Sequence, residues 1–253
     1  MLNEFRADEI ARAIDTGEVE CAIVTFGSCE SHGPHLPLGP DLFVPEEIAR
    51  RVARRVGNAV VVPGLPFGTS LHYDAYPLSV TLRYETMVEV AADILDSLVR
   101  HGLDRIIILN GHDGNIPALE IAARRVKDRH RQATLVYIPS WWDITAAKMP
   151  DDMGDWSGLG HGGEGETSIT MAVTPELVRP DLAVRQMPDD VIALGDFATV
   201  IWDIEELTAT GATGDPTTAS AEKGERMLAV VEDYLVELIG ELGRLGWKYD
   251  RRR

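Results

Sequence analysis

Seven histidines occur in the chain, and five of them, His32, His35, His72, His112 and His161, fall in glycine- and proline-rich stretches. The other two, His101 and His130, sit where helical patterns end, which suits a cation near a helix C-terminus or plain solvation. The densest group is Gly27-Ser-Cys-Glu-Ser-His-Gly-Pro-His-Leu-Pro-Leu-Gly-Pro-Asp41, which supplies Glu30, His32, His35 and Asp41. Carboxylates mixed with imidazoles suit Zn2+ or Mn2+, whereas an all-oxygen set would suit Mg2+ or Ca2+ and thiolates a structural zinc. In an extended segment Glu30 and His32 point the same way, and Gly33, Pro34 and Pro37 set a turn that can bring Asp41 back. A polar loop capping a strand would read the same way.

Two further groups carry chemistry-bearing side chains. Asn110-Gly-His-Asp-Gly-Asn115 has the Asn-Gly and Asp-Gly pairs of tight turns and holds His112 and Asp113, either at a ligand crevice or in an ordinary connection. Gly160-His-Gly-Gly-Glu-Gly-Glu-Thr-Ser168 offers His161, Glu164 and Glu166. Its Gly160, Gly162 and Gly165 satisfy G-x-G-x-x-G, but no strand pattern precedes them, and a glutamate-bearing loop repels pyrophosphate. Metal binding or proton transfer fits these residues better, with a favourable helix-dipole position as the plain alternative for Glu166. Serine hydrolysis is disfavoured because Ser28, Ser70 and Ser168 lie outside any G-x-S-x-G. Cys29 reads better as a packed thiol than as a nucleophile, and H-E-x-x-H is absent.

These loops need a scaffold. Apolar runs at 20–26, 59–62, 105–109 and 134–138 read as strands, the third (Arg-Ile-Ile-Ile-Leu) most clearly. Helical periodicity covers 45–56, 84–101, 116–129 and about 219–245. Met87, Ala91, Ile94 and Leu98 share one face, as do Met227, Val231, Tyr234, Leu238 and Leu242. Pro117 near the start of its helix is tolerated there. Alternating strands and helices predict a layered α/β/α fold with a mostly parallel sheet, and a single domain over 1–253. In such sheets the ligand crevice lies beyond the carboxyl ends of the strands, where several of the histidine loops fall. Residues 141–165 show no clear period and are expected to form a long functional loop. Trp141, Trp142 and Trp156 could wall a pocket for a flat substrate, or simply pack that loop.

Composition narrows the classes. The 253 residues carry 41 Asp and Glu against 24 Lys and Arg, a formal charge of -17, which disfavours nucleic acid. The basic runs at 50–55, 124–131 and 251–253 read as solvated helix faces or a frayed end. Two cysteines without a CxxC, no secretory leader pattern and no long apolar run predict a cytoplasmic protein without membrane contact.

Taken together, the three groups resemble the creatininase (creatinine amidohydrolase) family. Residues 27–41 match its pattern G-S-x-E-x-H-G-P-H-L-P-L-x-x-D, 110–115 resemble NGHxxN, and 161–168 resemble H-x-G-x-x-E-T-S. Gly211-Ala-Thr-Gly-Asp-Pro-Thr-Thr-Ala-Ser-Ala-Glu-Lys-Gly224 is similar to its C-terminal G-D-P-x-x-A-x-x-x-x-G. The resemblance implies a two-metal hydrolytic site holding Zn2+ and/or Mn2+, usually in a homohexamer, acting on a small molecule. Glu30, His32, Asp41 and His112 are implied ligands, with Asp41 as the bridge. Creatininase itself has a glutamate where this chain has Gly114, so Glu166 is implied as the remaining ligand. His161, Glu164 or Glu166 would move the proton. His35, His72, Asp113, Trp141 and Trp142 are assigned to the substrate pocket. Ser31 and Pro40 stand where glutamine and threonine are usual, and Pro77-Leu-Ser-Val-Thr81 where Pro-Gly-Thr is frequent, which loosens any assignment to creatinine. Opening of a cyclic amide or removal of a small acyl group is the implied reaction. C–C cleavage of a cyclic keto-sugar such as a keto-inositol, or a non-catalytic metal-binding role, are the alternatives.

Overall fold

The computed structural model describes residues 1–152, 160–188 and 200–248. Trp156 and the tail at 251–253 lie outside them.

Four strands form a parallel sheet: β1 (Cys21–Phe26), β2 (Ala59–Leu65), β3 (Arg105–Asn110) and β4 (Thr134–Ile138), in the order β2-β1-β3-β4. Strand β1 pairs in register from Cys21 with Ala59 and from Ala22 with Ile106. The helices are α1 (Ala7–Asp15), α2 (Pro40–Val56), α3 (Tyr84–Arg100), α4 (Ile116–Arg129), α5 (Trp141–Lys148), α6 (Glu164–Val173) and α7 (Ala221–Arg244).

The alternation of side chains along a strand divides the apolar interior in two. Cys21 and Ile23 of β1 and Ile107 and Leu109 of β3 face α2, α5, α6 and α7. Ala22, Val24 and Phe26 with Ile106 and Ile108 face α3 and α4. Both faces are covered, which is why the central strands are continuously apolar. The layered α/β/α reading therefore holds, and the sheet is parallel throughout the described residues.

Three local expectations change. Helix α2 begins at Pro40 rather than at Pro45, because Pro40 takes the first helical position, where a missing N–H costs nothing. Pro45 then lies inside the helix and leaves the Asp41 carbonyl without its intrahelical donor. Residues 141–148 of the expected loop are helical. Trp141 is only 2% exposed and belongs to the core beneath α5, so burial rather than periodicity places that helix. On α7, Leu235 and Ile239 are buried beside Met227, Val231 and Leu242, while Tyr234 and Leu238 flank them. Helix α1, unanticipated, is mostly exposed and packs Ile10 and Ile14 against the α3 side.

No helix among the described residues is long and apolar enough to cross a membrane.

Candidate metal centre

The carboxyl ends of β1 and β3 lie side by side, with Phe26 opposite Asn110, and the chain leaves them in the two loops singled out above. The first turn of α2 presses directly against these loops. A methyl group at Gly111 would stand 1.9 Å from the Asp41 carbonyl oxygen, and one at Gly27 would stand 2.7 Å from it. Only glycine permits that approach, and it brings Asp41 over the strand ends.

Asp41 is the centre of the arrangement. Its Oδ1 faces His32 Nε2 at 3.1 Å and its Oδ2 faces His112 Nδ1 at 3.2 Å. Ser28 donates to Oδ2 at 2.6 Å. The far nitrogen of each imidazole is anchored on backbone: His32 Nδ1 donates to the Glu30 carbonyl at 3.1 Å, and His112 Nε2 to the Thr69 carbonyl at 3.0 Å. These anchors fix the tautomers and turn one nitrogen of each ring inward. Asn110 holds the His112 backbone, and Asn115 bridges to Thr69 and Gly27.

Two more carboxylates complete the cluster. Glu30 Oε1 lies 3.2 Å from His112 Nδ1, and Glu166 Oε1 lies 3.6 Å from His32 Nε2. Glu166, in the first turn of α6, is steadied by the Gly162 N–H on Oε2 at 2.6 Å. The donor atoms of Glu30, Asp41 and His112 lie within 4.8 Å of one another, and so do those of His32, Asp41 and Glu166. Glu30 is fully buried, and beyond its ion pair with His112 neither carboxylate oxygen has a hydrogen-bond partner. A buried carboxylate with so few partners is costly unless a cation compensates it.

Burial alone would lower His32, but Asp41 and Glu166 hold it well above the ordinary imidazole value. Burial likewise opposes His112, which Glu30 and Asp41 raise. Burial would raise Asp41, but His32 and His112 pull it well below the carboxylate range.

A cavity of about 320 Å3 opens above this cluster, and Asp41, Tyr73, His112, Trp142, His161 and Trp202 line it. His161 donates from Nε2 to the Ser31 carbonyl at 2.7 Å, which leaves Nδ1 as an acceptor on the side of Glu166 Oε2, 4.0 Å away. Its backbone is gripped twice by Thr213: the His161 N–H donates to Oγ1 at 3.0 Å, and the Thr213 N–H donates to the His161 carbonyl at 2.7 Å. Burial, and then His32, lower the His161 imidazole.

The remaining candidates divide. Asp113 lines the cavity and faces His72 at 3.7 Å. Trp142 lines it as well, whereas Trp141 is core. His35 is buried behind the cavity with Nε2 on Thr167 Oγ1 at 2.9 Å, and it does not reach the lining. Glu164 pairs with Lys223 at 2.9 Å and is absent from the lining. Cys29 is half-buried, and burial, then Glu30, push its thiol up. At Gly114 a Cβ would stand 2.2 Å from the Thr69 carbonyl oxygen, so no longer side chain fits at that position. Tyr73, Thr213 and Trp202 were not singled out in the sequence. Thr213 lies in the Gly211–Gly224 stretch but just before its matched Gly-Asp-Pro, Trp202 belongs to no motif, and only the neighbouring His72 pointed towards Tyr73.

Comparison with known proteins adds independent findings. Residues 3–239 match a family model described as Creatininase, creatinine amidohydrolase. Creatinine amidohydrolase from Pseudomonas putida is 30% identical over 238 residues, covering 88% of this chain and 90% of that protein. The mycofactocin precursor peptide peptidase of Mycolicibacterium smegmatis is 30% identical over 228 residues, covering 83% and 81%. The solved structure described as Creatininase Mn is 27% identical and superposes with a TM-score of 0.82, covering 94% of this chain and 96% of that one.

Proposed function

The chain belongs to the creatininase family of hydrolases, and on that premise we propose that it is a dinuclear-metal enzyme that breaks a C–N bond of a small molecule, by opening a cyclic amide or removing a small acyl group. One observation carries the reading: the Asp41 carboxylate is split between two inward-facing imidazoles, one oxygen to each.

The residues fit two divalent ions. Glu30, Asp41 and His112 would hold one, and His32, Asp41 and Glu166 the other. The Glu30 oxygens, without a hydrogen bond beyond the His112 ion pair, and the backbone-anchored far nitrogens of both histidines are what ligands and their supports require. Imidazole and carboxylate donors favour Zn2+ or Mn2+, and the manganese in the name of the similar structure points the same way.

Ions in such a pair polarise a carbonyl and lower the pKa of water. The chain supplies the remainder. Asp41 spans the two positions and Ser28 fixes its orientation. His161, committed at Nε2 to Ser31, offers Nδ1 to take the proton from the attacking water and return it to the leaving nitrogen. Glu166 serves as ligand, and Glu164, tied to Lys223, secures the start of α6. Trp142, Trp202 and Tyr73 wall the cavity against bulk water.

The test is to load the protein with Mn2+ or Zn2+ and to incubate it with creatinine, an N-formyl amine, a short peptide and a keto-inositol, following products by mass spectrometry. C–N cleavage that needs the metal and is lost in His161→Ala supports the proposal. Cleavage of the keto-inositol alone contradicts it.

We also infer a homo-oligomer in a reducing, cytoplasmic setting. Leu78 (75% exposed) and Ile201 (91% exposed) offer apolar surface for a second copy, and Cys21 and Cys29 are free thiols. Light scattering measures the mass that tests the first.

A further inference from the structure

Five rings form an arc around the candidate metal centre. His32 and His161 have centroids 4.3 Å apart, His161 and Tyr73 4.4 Å, Tyr73 and His72 4.5 Å, and His72 and His112 5.8 Å. The two ends of the arc, His32 and His112, are the imidazoles that share Asp41. Tyr73 is therefore the middle ring, between the two halves of the centre.

Each of the four histidine rings has at least one nitrogen facing a protein oxygen. His32 and His112 each use one nitrogen on backbone and the other on carboxylates. His161 is held by Ser31, and His72 faces Asp113. Tyr73 differs. It is 2% exposed and lines the cavity, and no hydrogen bond joins its hydroxyl to another described residue. Burial, and then Glu30 and Asp113, push the phenol up, so the hydroxyl keeps a proton to donate. The backbone holds the ring in place, since the Tyr73 N–H donates to the Ser70 carbonyl at 3.0 Å.

We propose that the Tyr73 hydroxyl donates a hydrogen bond to the substrate oxygen that gains negative charge when water adds to the scissile carbonyl. This inference rests on the hydrolase reading above and assigns an additional catalytic residue within it. No proton is transferred from Tyr73. The carbonyl π pair moves onto oxygen, the hydroxyl stabilises that charge, and the pair returns as the C–N bond breaks, with the proton for nitrogen arriving from His161. A donor aimed at developing charge is worth more in the transition state than in the ground state, so it acts on kcat.

Tyr73→Phe keeps the ring and removes only the donor. In the metal-loaded protein, kcat is expected to fall about 100-fold with KM little changed and with the bound metal per chain unaltered. Tyr73→Leu, which removes the ring, should also raise KM. A second measurement does not need turnover. Acetate, a small carboxylate whose oxygen can accept the same bond, is titrated calorimetrically into metal-loaded wild type and Tyr73→Phe. The dissociation constant should rise about tenfold in the variant. Equal affinity for both proteins, no acetate binding to either, or an unchanged kcat in Tyr73→Phe would overturn the inference. Those results leave the metal centre standing. The hydrolase reading fails separately, if the wild type takes up no metal.

Discussion

Asp41 carries more of the centre than any other side chain, and its support is a single hydroxyl. Ser28 reaches it at 2.6 Å from one side, while the imidazoles take the others. Ser28→Ala should lower metal affinity about 10–100-fold, read by competition with a chelating dye, while the ligand set stays complete. Glu30→Gln and Glu166→Gln should each remove one ion and leave the other, because the two residues belong to different donor groups. Elemental analysis of each variant checks this. Away from the centre, burial and then Glu20 push the Cys21 thiol up to about 12. The native protein at about pH 8 should therefore take up no iodoacetamide at Cys21, and full label after denaturation, as peptide mass mapping would show. At this scale the sequence was most informative where a motif is dense. Glu30, His32, Asp41, His112 and Glu166 lie together in the structure, and their reading as ligands belongs to the proposal. Tyr73 and Thr213 were illegible, since a cavity wall asks only for shape and one polar atom.

The helices that position these residues depend on two close approaches. Gly111 lets the first turn of α2 rest on the end of β3, and Gly224 lets α7 touch α6, where a Cβ would come within 2.0 Å of the Ser168 carbonyl oxygen. In both places the obstructing atom is backbone, so the clash cannot be relieved by a rotamer change. Gly224→Ala should cost about 1–3 kcal/mol, measured by urea denaturation, and should weaken metal binding through displacement of Glu166. Gly111→Ala should act in the same way through Asp41. Element boundaries were legible where one period dominates. Ile116–Arg129 and Thr134–Ile138 fall where the pattern placed them. Helix α2 begins at Pro40 and not at Pro45, and its first turn rests on Gly27 and Gly111, a contact that local periodicity does not display. Helix α5, Trp-Trp-Asp-Ile-Thr-Ala-Ala-Lys, has no apolar period to read and is held by the buried Trp141. Helix α1 is highly charged, and its apolar stripe of Ile10 and Ile14 is too short to stand out as a period.

For the whole molecule, the charge of -17 takes on a local meaning, because three of its carboxylates converge at one buried point. Two divalent ions would offset four of those charges, since each carries two. An ion that binds only the folded chain stabilises it by about 4 kcal/mol at a thousandfold excess over Kd. Chelation should then lower Tm by roughly 8–16 °C for a chain of this size. The metal-free protein should also respond to pH in a defined direction. His32 and His112 are raised in the folded state, so their contribution is complete below about pH 6.5 and is lost as pH rises through their folded values. Asp41 is depressed, so its contribution is present above about pH 4 and is lost as pH falls through its folded value. Metal-free protein should thus be most stable between about pH 4 and 6.5, and metal-loaded protein should keep its stability above that window; thermal melts across pH compare the two. The central claim is that Asp41 joins two ions in one buried centre. Elemental analysis of wild-type protein saturated with Mn2+ or Zn2+ and freed of excess tests it most directly. Two ions per chain, with both lost in Asp41→Ala, is the predicted result, and a wild-type protein that saturates at one ion or none contradicts it.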